Sequence, residues 1–507
     1  MRIGAALGVL AGALAVAGTP TAEAHPAPLR LTVDSAAATG DRVNRGLVGV
    51  NWDGERPQAV RPLRPGLARV DAQIERLFPD GPELDRDALA RLNSSLDAIL
   101  RAGAEPLVIL SYMPPWLADA QPGDPRDRTK LPPRDPQLWG DLVGRVVSEL
   151  SAGRAARGQR PARRFEVWNE PDWPVFFQDS PQRFLEDVFV PSAAAVAAVE
   201  REHRIDLLFG GCACVAPDPL MIVPMVTLAR QRGLPLDFVS WHWYANTPFL
   251  GPDGREPLGT PEFQQLVDVV FPFWGRRNPV ATPASYGDQV GLVREWVRGA
   301  LAGSGRPMPE LVIDEWNLSA GGFDRRMDTH EGAAYDGGVL AEMQKAGLDR
   351  SAVFRAVDPA YFADPKVNPS GEEHRGGWGL VTITGRRKPA WWTFWLWRRL
   401  APLVVRSQLE SARSDGVWAL ASRGARRRRL TVLVASFLAE GAHPHELALE
   451  LSGLPPGRWR IRIRRIDAGH PSARRADRRA RRIRRGERLD LELELPAQAL
   501  VAVELRR

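Results

Sequence analysis

Two glutamates stand at the ends of apolar, β-like runs in this chain. RFEVWNE, residues 164–170, ends at Glu170, and ELVIDEW, residues 310–316, carries Glu315 next to its end. Two carboxylates on buried strands, brought to about 5 to 5.5 Å of each other, can cleave a glycosidic bond with retention. One protonates the leaving oxygen and the other attacks the anomeric carbon. The two must be held in different protonation states, and a neighbouring negative charge raises the pKa of the one that keeps its proton. Glu170 is therefore expected to be the protonated acid/base and Glu315 the ionised nucleophile. Asn-Glu-Pro alone is a common triplet. It gains specificity at a strand end after Trp168, matched by a second strand-terminal Glu. The alternative is that both acids are loop residues engaged in salt bridges.

Only a fold can bring together residues so far apart in sequence. From about residue 46 to 402, short β-like runs alternate with segments of helical period, the pattern of a parallel sheet with crossover helices. Eight strands are expected, at 46–52, 66–72, 106–112, 164–170, 206–212, 237–244, 310–316 and 351–357. Between the second and third, Asp85 is placed to cap a helix and Gly103 to end it. The fold class is α/β, a (β/α)8 TIM barrel, whose chemistry gathers at the C-terminal ends of the strands. A doubly wound open sheet is the alternative, but no Gly-rich phosphate turn follows the first strand.

After Pro402 the pattern changes to short alternating runs separated by turn residues such as Pro455-Pro456-Gly457, which predicts a C-terminal antiparallel β-sandwich domain. The expected division is a leader at 1–24, a barrel at 25–402 and a sandwich at 403–507. Residues 29–34, LRLTVD, share the alternation of the sandwich and can pair into it. WWTFWLW, residues 391–397, occupies the place of the last barrel helix, where its rings are expected to pack between the domains rather than to bind sugar.

With 507 residues, the chain is long enough for a large domain and a smaller one. Met1-Arg2, an apolar run over 3–17 and the small-x-small pattern Ala22-Glu23-Ala24 read as a cleaved secretion signal. That run is shorter than the roughly 20 apolar residues of a membrane span, so stable membrane insertion is not expected. Cys212 and Cys214 are too few for a disulfide framework and are expected to be small buried thiols. The net charge is +7, with the basic residues crowded toward the C-terminus at 426–429 and 474–485. A solvated basic face is expected, with a dedicated site for polyanions as the alternative, and no nucleic-acid motif is present. No metal cluster is visible and the chemistry calls for no cofactor.

At its strand ends the sequence resembles clan A of the glycoside hydrolases, and most closely family 39, the β-xylosidases and α-L-iduronidases. The likeness is carried by SYMPPWLA (111–118), FEVWNEPDWPVFF (165–177), DFVSWHWY (237–244), RGGWGLVTITGRRKPAWW (375–392) and the stretch 454–473. It implies an oligo- or polysaccharide or glycoside substrate, with Glu170 and Glu315 in the roles given above. It further implies that Asn169 bonds the sugar 2-hydroxyl, that His242 and Tyr244 line the subsite, and that Arg69 supports the nucleophile. Arg69 could instead pair with Asp71 or Glu75. Trp316 is a further candidate substrate contact, although Trp316 and Asn317 depart from the family's usual continuation, and the second-strand region, RVDAQIERLF, lacks its His-Gly pair. A uronate substrate would need a cation, for which Arg355 is the one candidate. A β-xylosidase-like activity is preferred over an iduronidase-like one, and over a carbohydrate-binding barrel that has lost catalysis.

Overall fold

The computed structural model describes residues 28–246, 280–322, 324–366, 368, 371–374, 376–411 and 415–507, so the expected leader lies outside the described residues. Strand β1, Leu29–Arg42, precedes eight parallel strands: β2 Gly49–Asn51, β3 Leu67–Asp71, β4 Glu105–Leu110, β5 Arg164–Val167, β6 Leu208–Cys214, β7 Phe238–Tyr244, β8 Glu310–Asn317 and β9 Arg350–Val353. Each pairs with the next, and Val50 of β2 pairs with Val353 of β9 to close the barrel. The crossover helices form as their termini dictate. Asp85 accepts hydrogen bonds from the amides of Asp87 and Ala88 at the start of the helix Arg86–Arg101. Gly103 takes the left-handed φ of 83° that ends it, a conformation cheap only for glycine.

Strand alternation stacks the barrel interior in layers. Leu67, Leu107, Phe238, Val312 and Ala352 form a small apolar layer. Two residues further along their strands stand Arg69, Ser240 and Asp314, joined by Glu166 of β5, all buried. Above these polar groups lie His242, Tyr244 and Glu315. The interior is therefore sealed by apolar packing below and becomes polar toward the C-terminal ends of the strands.

The remaining strands are β10 Leu403–Glu410, β11 Val417–Arg423, β12 Arg429–Ser436, β13 His445–Ser452, β14 Gly457–Ile466, β15 Asp477–Ile483, β16 Leu489–Leu495 and β17 Ala499–Arg506. With β1 they form one sheet in the order β15-β14-β17-β12-β11-β10-β1-β13-β16. β1 runs antiparallel to β10 and parallel to β13, inserting the N-terminal segment into the C-terminal domain. Inward residues from all nine strands, among them Leu31, Val432, Leu449, Trp459, Leu491 and Val503, share one core, so the sheet folds over itself as a sandwich.

The outward residues Leu433, Ala435, Leu500 and Ala502 join the barrel's own core. They meet the helix His330–Ala346, whose Gly337 approaches so closely that an added Cβ would lie 2.5 Å from Leu500 Cδ1. The aromatic helix Pro389–Arg398 divides its rings. Trp391 and Trp397 hydrogen-bond the backbone of Ala59 and Asn44 on the barrel side. Trp392 and Trp395 lie under Arg474 and Arg464 of the sandwich.

The contact at Gly337 generates a prediction of opposite signs at two helix glycines. Gly337→Val should destabilise the chain by about 1 to 3 kcal/mol through overpacking, measured by denaturant unfolding. Gly291→Ala, where an added Cβ meets nothing within 4 Å, should stabilise it by about 0.5 to 1 kcal/mol through helix propensity.

Candidate active site

Three local features aim the site residues. The first is the exit from β5, where Trp168 and Glu170 adopt positive φ of 66° and 48°. Such conformations cost a non-glycine residue about 1 to 3 kcal/mol and persist only where the surroundings over-determine them. Here the Trp168 amide donates to Leu110 O and the Glu170 amide to Ala213 O. The Trp168 indole donates to Phe176 O, and its ring meets Tyr112, Trp139 and Phe177 edge to face.

The second feature is a bulge in β8. Trp241 pairs with Ile313 but His242 pairs with Glu315, leaving Asp314 as an extra residue. A bulge re-aims side chains locally, and here both Asp314 and Glu315 reach Arg69 inside the barrel. Trp316 then falls on the outer face. It is fully buried against Phe394 and Tyr286 of the surrounding helices, with ring centroids 6.0 and 5.9 Å away. The expectation that Trp316 contacts substrate is corrected accordingly.

The third feature is a second bulge, between Cys212 and Cys214 of β6, where Ala213 has φ 51°. It brings the two cysteine Cα atoms to 5.1 Å, and the sulfurs are bonded as a disulfide rather than standing as the two thiols expected from sequence. The same bulge presents Ala213 O to the Glu170 amide and the Ala213 amide to Ser240 Oγ.

Arg69 is the hub of the resulting network. Its Nε lies 2.7 Å from Glu166 Oε2 and 3.0 Å from Asp314 Oδ2. One terminal nitrogen donates to Glu315 Oε2 at 2.9 Å and the other to Asn169 Oδ1 at 2.9 Å. The alternative partners fall away: Asp71 accepts from the Gln73 amide and Ser111 Oγ, and Glu75 from the Tyr112 amide. Tyr244 donates to Glu315 Oε1 at 2.5 Å. His242 Nδ1 lies 2.7 Å from Glu170 Oε1. One carboxylate oxygen of Glu170, one of Glu315 and a ring nitrogen of His242 lie within 4.8 Å of one another.

Electrostatics separate the two glutamates. Burial raises the pKa of Glu170 well above the ordinary carboxylate range, and the charge of Glu315 adds to the rise. Burial raises Glu315 too, but less far, because Arg69 and the Tyr244 hydroxyl oppose the rise. Burial, aided by Arg69, holds the His242 pKa well below its usual value, so the ring is neutral near pH 7. Asp314 is raised by burial and by its neighbour Glu166.

Glu166 and Asp314 were not singled out in the sequence. The available signal was a charged residue at an inward strand position, which must be paired to be buried. Glu170, His242 and Glu315 also have the composition of a metal site. Both oxygens of Glu315 are already engaged, however, one by the Arg69 guanidinium and one by Tyr244. A cation there would have to displace a fixed positive charge, so the donor set does not fit a metal.

Residues 88–251 match the family model of the glycosyl hydrolases family 39, a segment that includes Asn169, Glu170, His242 and Tyr244 and stops before Glu315. The chain is 24% identical over 304 residues to a beta-xylosidase of Caldicellulosiruptor saccharolyticus, covering 60% of this chain and 54% of that protein. It is 25% identical over 333 residues to a beta-xylosidase of Geobacillus stearothermophilus, covering 63% and 58%. The alignments thus span little more than half the length of these curated relatives. A monomeric beta-xylosidase from Caulobacter crescentus CB15 superposes with a TM-score of 0.68 at 20% identity, over 94% of this chain and 99% of that one. A bacterial orthologue of human α-L-iduronidase superposes with a TM-score of 0.61 at 16% identity, over 94% and 84%. The barrel-plus-sandwich fold is shared with these structures.

The hub predicts the pH dependence of a variant. Arg69→Met leaves Glu166 and Glu315 buried without their counter-charge and should cost about 3 to 5 kcal/mol near neutral pH. Without the cation the folded-state pKa values of Glu315 and Asp314, already raised by burial, rise further above their unfolded values. The variant's deficit in urea unfolding should therefore be smallest below the ordinary carboxylate range and grow as pH rises through the raised values. A deficit independent of pH would contradict this account of the network.

Proposed function

We propose that this relative of the glycosyl hydrolases family 39 is a retaining O-glycosyl hydrolase of β-xylosidase-like specificity, with Glu170 as acid/base and Glu315 as nucleophile. The observation that carries the reading is the pair of carboxylate oxygens within 4.8 Å of each other at one end of the barrel. That spacing is short of the roughly 6.5 Å at which the inverting geometry, with its intervening water, begins.

The supports of each acid match its role. Arg69 and Tyr244 favour the ionised form of Glu315, which attacks the anomeric carbon while protonated Glu170 gives its proton to the departing oxygen. The ester formed at Glu315 abolishes that charge, and with it one cause of the raised Glu170 pKa. Glu170, now ionised, removes a proton from the water that hydrolyses the intermediate. A neutral His242 with its proton on Nδ1 donates to Glu170 Oε1 in both forms, which leaves the acid's proton on the other oxygen for the departing group. Since Asn169 Oδ1 is occupied by Arg69, its amide NH2 group is left to bond a sugar hydroxyl.

A neutral sugar is favoured over a uronate. Arg355, the cation considered for a uronate carboxylate, is bound by Asp53 at 2.9 Å and Glu55 at 2.8 Å. The curated relatives are beta-xylosidases, which points the same way. Export is part of the proposal, supported by the leader-like residues 1–24. Among the described residues no helix is long and apolar enough to cross a membrane.

The expected outcome with a β-xyloside is a first-formed product of retained configuration by proton NMR, and inversion would overturn the two-step reaction. Glu170→Ala should still form the glycosyl-enzyme from a dinitrophenyl glycoside, which needs no protonation to depart, but should release it slowly. Added azide should restore turnover and give a glycosyl azide of retained configuration. Glu315→Ala should fail on activated and natural substrates alike, any azide product being inverted. Exchange of these two outcomes would exchange the assignments.

A further inference from the structure

The C-terminal domain carries a separate feature that catalysis does not use. Residues 403–507 hold 23 arginines, no lysine and 12 acidic residues, whereas the preceding 402 residues hold 45 basic against 49 acidic. The excess is concentrated in residues 458–485, with thirteen arginines and two aspartates. We propose that the outer face of β14 and β15 is a binding surface for an acidic polysaccharide, one bearing carboxylate or sulfate groups.

Register makes the surface continuous. Inward Trp459, Ile461 and Ile463 are buried in the sandwich, so the intervening Arg458, Arg460 and Arg462 share the outer face. Arg458 stands directly opposite Arg482, and Arg462 opposite Arg478. On the other side Arg460 stands opposite Arg506 of β17, which in turn stands opposite Arg429 of β12. Same-face neighbours lie about 6.6 to 6.8 Å apart along a strand and strands about 4.8 Å apart across the sheet, a grid of cations on a rigid support. Arg458, Arg460, Arg462, Arg478, Arg482 and Arg506 have no acidic partner within 4.0 Å among the described residues. Other sandwich arginines do, such as Arg465 with Glu494 and Arg488 with Glu450. Glu504 stands opposite Arg462 across β14 and β17, but it is buried and held by Arg399 at 3.4 Å and Arg464 at 3.6 Å.

Like charges directly opposite each other destabilise a sheet, so the arrangement works against folding. Protection of an exposed edge explains charges on β15, the terminal strand. It does not explain those on β14, which lies between β15 and β17. The guanidinium fork matches carboxylate and sulfate oxygens two at a time. Ala480 is the one non-arginine among the outward residues paired across β14 and β15 from 458 to 462. The face therefore offers no aromatic ring to stack on a base and no large apolar side chain to enter a bilayer. This inference is independent of the catalytic assignment.

The test uses the full chain and immobilised polygalacturonate, with neutral dextran, duplex DNA and anionic phospholipid vesicles as comparisons. Polygalacturonate should bind with an affinity that falls steeply between about 50 and 300 mM NaCl, as counterion release requires, and dextran should not bind. Replacing Arg458, Arg462, Arg478 and Arg482 together by Ser should weaken binding about ten-fold or more. It should leave glycosidase activity unchanged and hold or raise the melting temperature, since two like-charge pairs are removed. Replacing four exposed barrel arginines, Arg61, Arg134, Arg201 and Arg298, lowers the net charge equally and should change binding less than about two-fold if the grid rather than overall charge is read. The proposal is overturned if the two quadruple variants lose binding equally, if the sandwich variant binds as the parent does, or if DNA or vesicles bind more tightly than polygalacturonate.

Discussion

A single guanidinium holds the centre of this molecule together. Arg69 lies in the closed barrel among Glu166, Asp314 and Glu315, with Asn169 beside them. Ions so placed forgo solvation worth several kcal/mol each, and the arrangement stands only because charge and hydrogen bonding offset that loss within one network. The strand from which Arg69 projects is anchored two residues earlier by Leu67 in the apolar layer. Packing below thus fixes the position of the charge above. Through Arg69 the exits of β5 and β8 are tied to the same point, and with them the two glutamates.

The network treats those glutamates unequally, and the inequality has a geometric cause. Arg69 and the Tyr244 hydroxyl each bond an oxygen of Glu315. Glu170 is approached by the neutral ring of His242 and feels Glu315 as a neighbouring charge. Two chemically identical side chains in one buried space therefore differ in proton affinity because one touches the cation and the other does not. The strained φ at Trp168 and Glu170 belongs to the same arrangement, since it carries the chain off β5 where the carboxyl can face its partner.

The sandwich meets the barrel through small and aliphatic side chains, Gly337 against Leu500 and Ala435. Its sheet is completed by β1 from the opposite end of the chain, held between β10 and β13. Segments that precede and follow the barrel in sequence thereby join in one domain. Inward leucines and valines supply the sandwich core, which leaves the outward positions free to vary in charge. On β14 and β15 that freedom is taken up by arginine.

Much of this was legible in local sequence because strands and helices are written in short periods. Apolar runs at about the right spacing located all eight barrel strands. Asp85 and Gly103 marked a helix by cap chemistry, and alternation after Pro402 located the sandwich. The candidate pair Glu170 and Glu315 followed from strand ends alone. Tertiary structure decided what a period of two cannot carry across a bulge. An extra residue in β8 sends Asp314 and Glu315 to the same side and Trp316 away from it, and another in β6 draws Cys212 and Cys214 together. Arg69 had plausible partners nearby in sequence, yet it met Glu166, Asp314 and Glu315, carried by the fourth and seventh strands of the barrel. A side chain's direction within a strand is a local property of the backbone, whereas register and bulges belong to the pairing of two strands and arise only when the barrel closes.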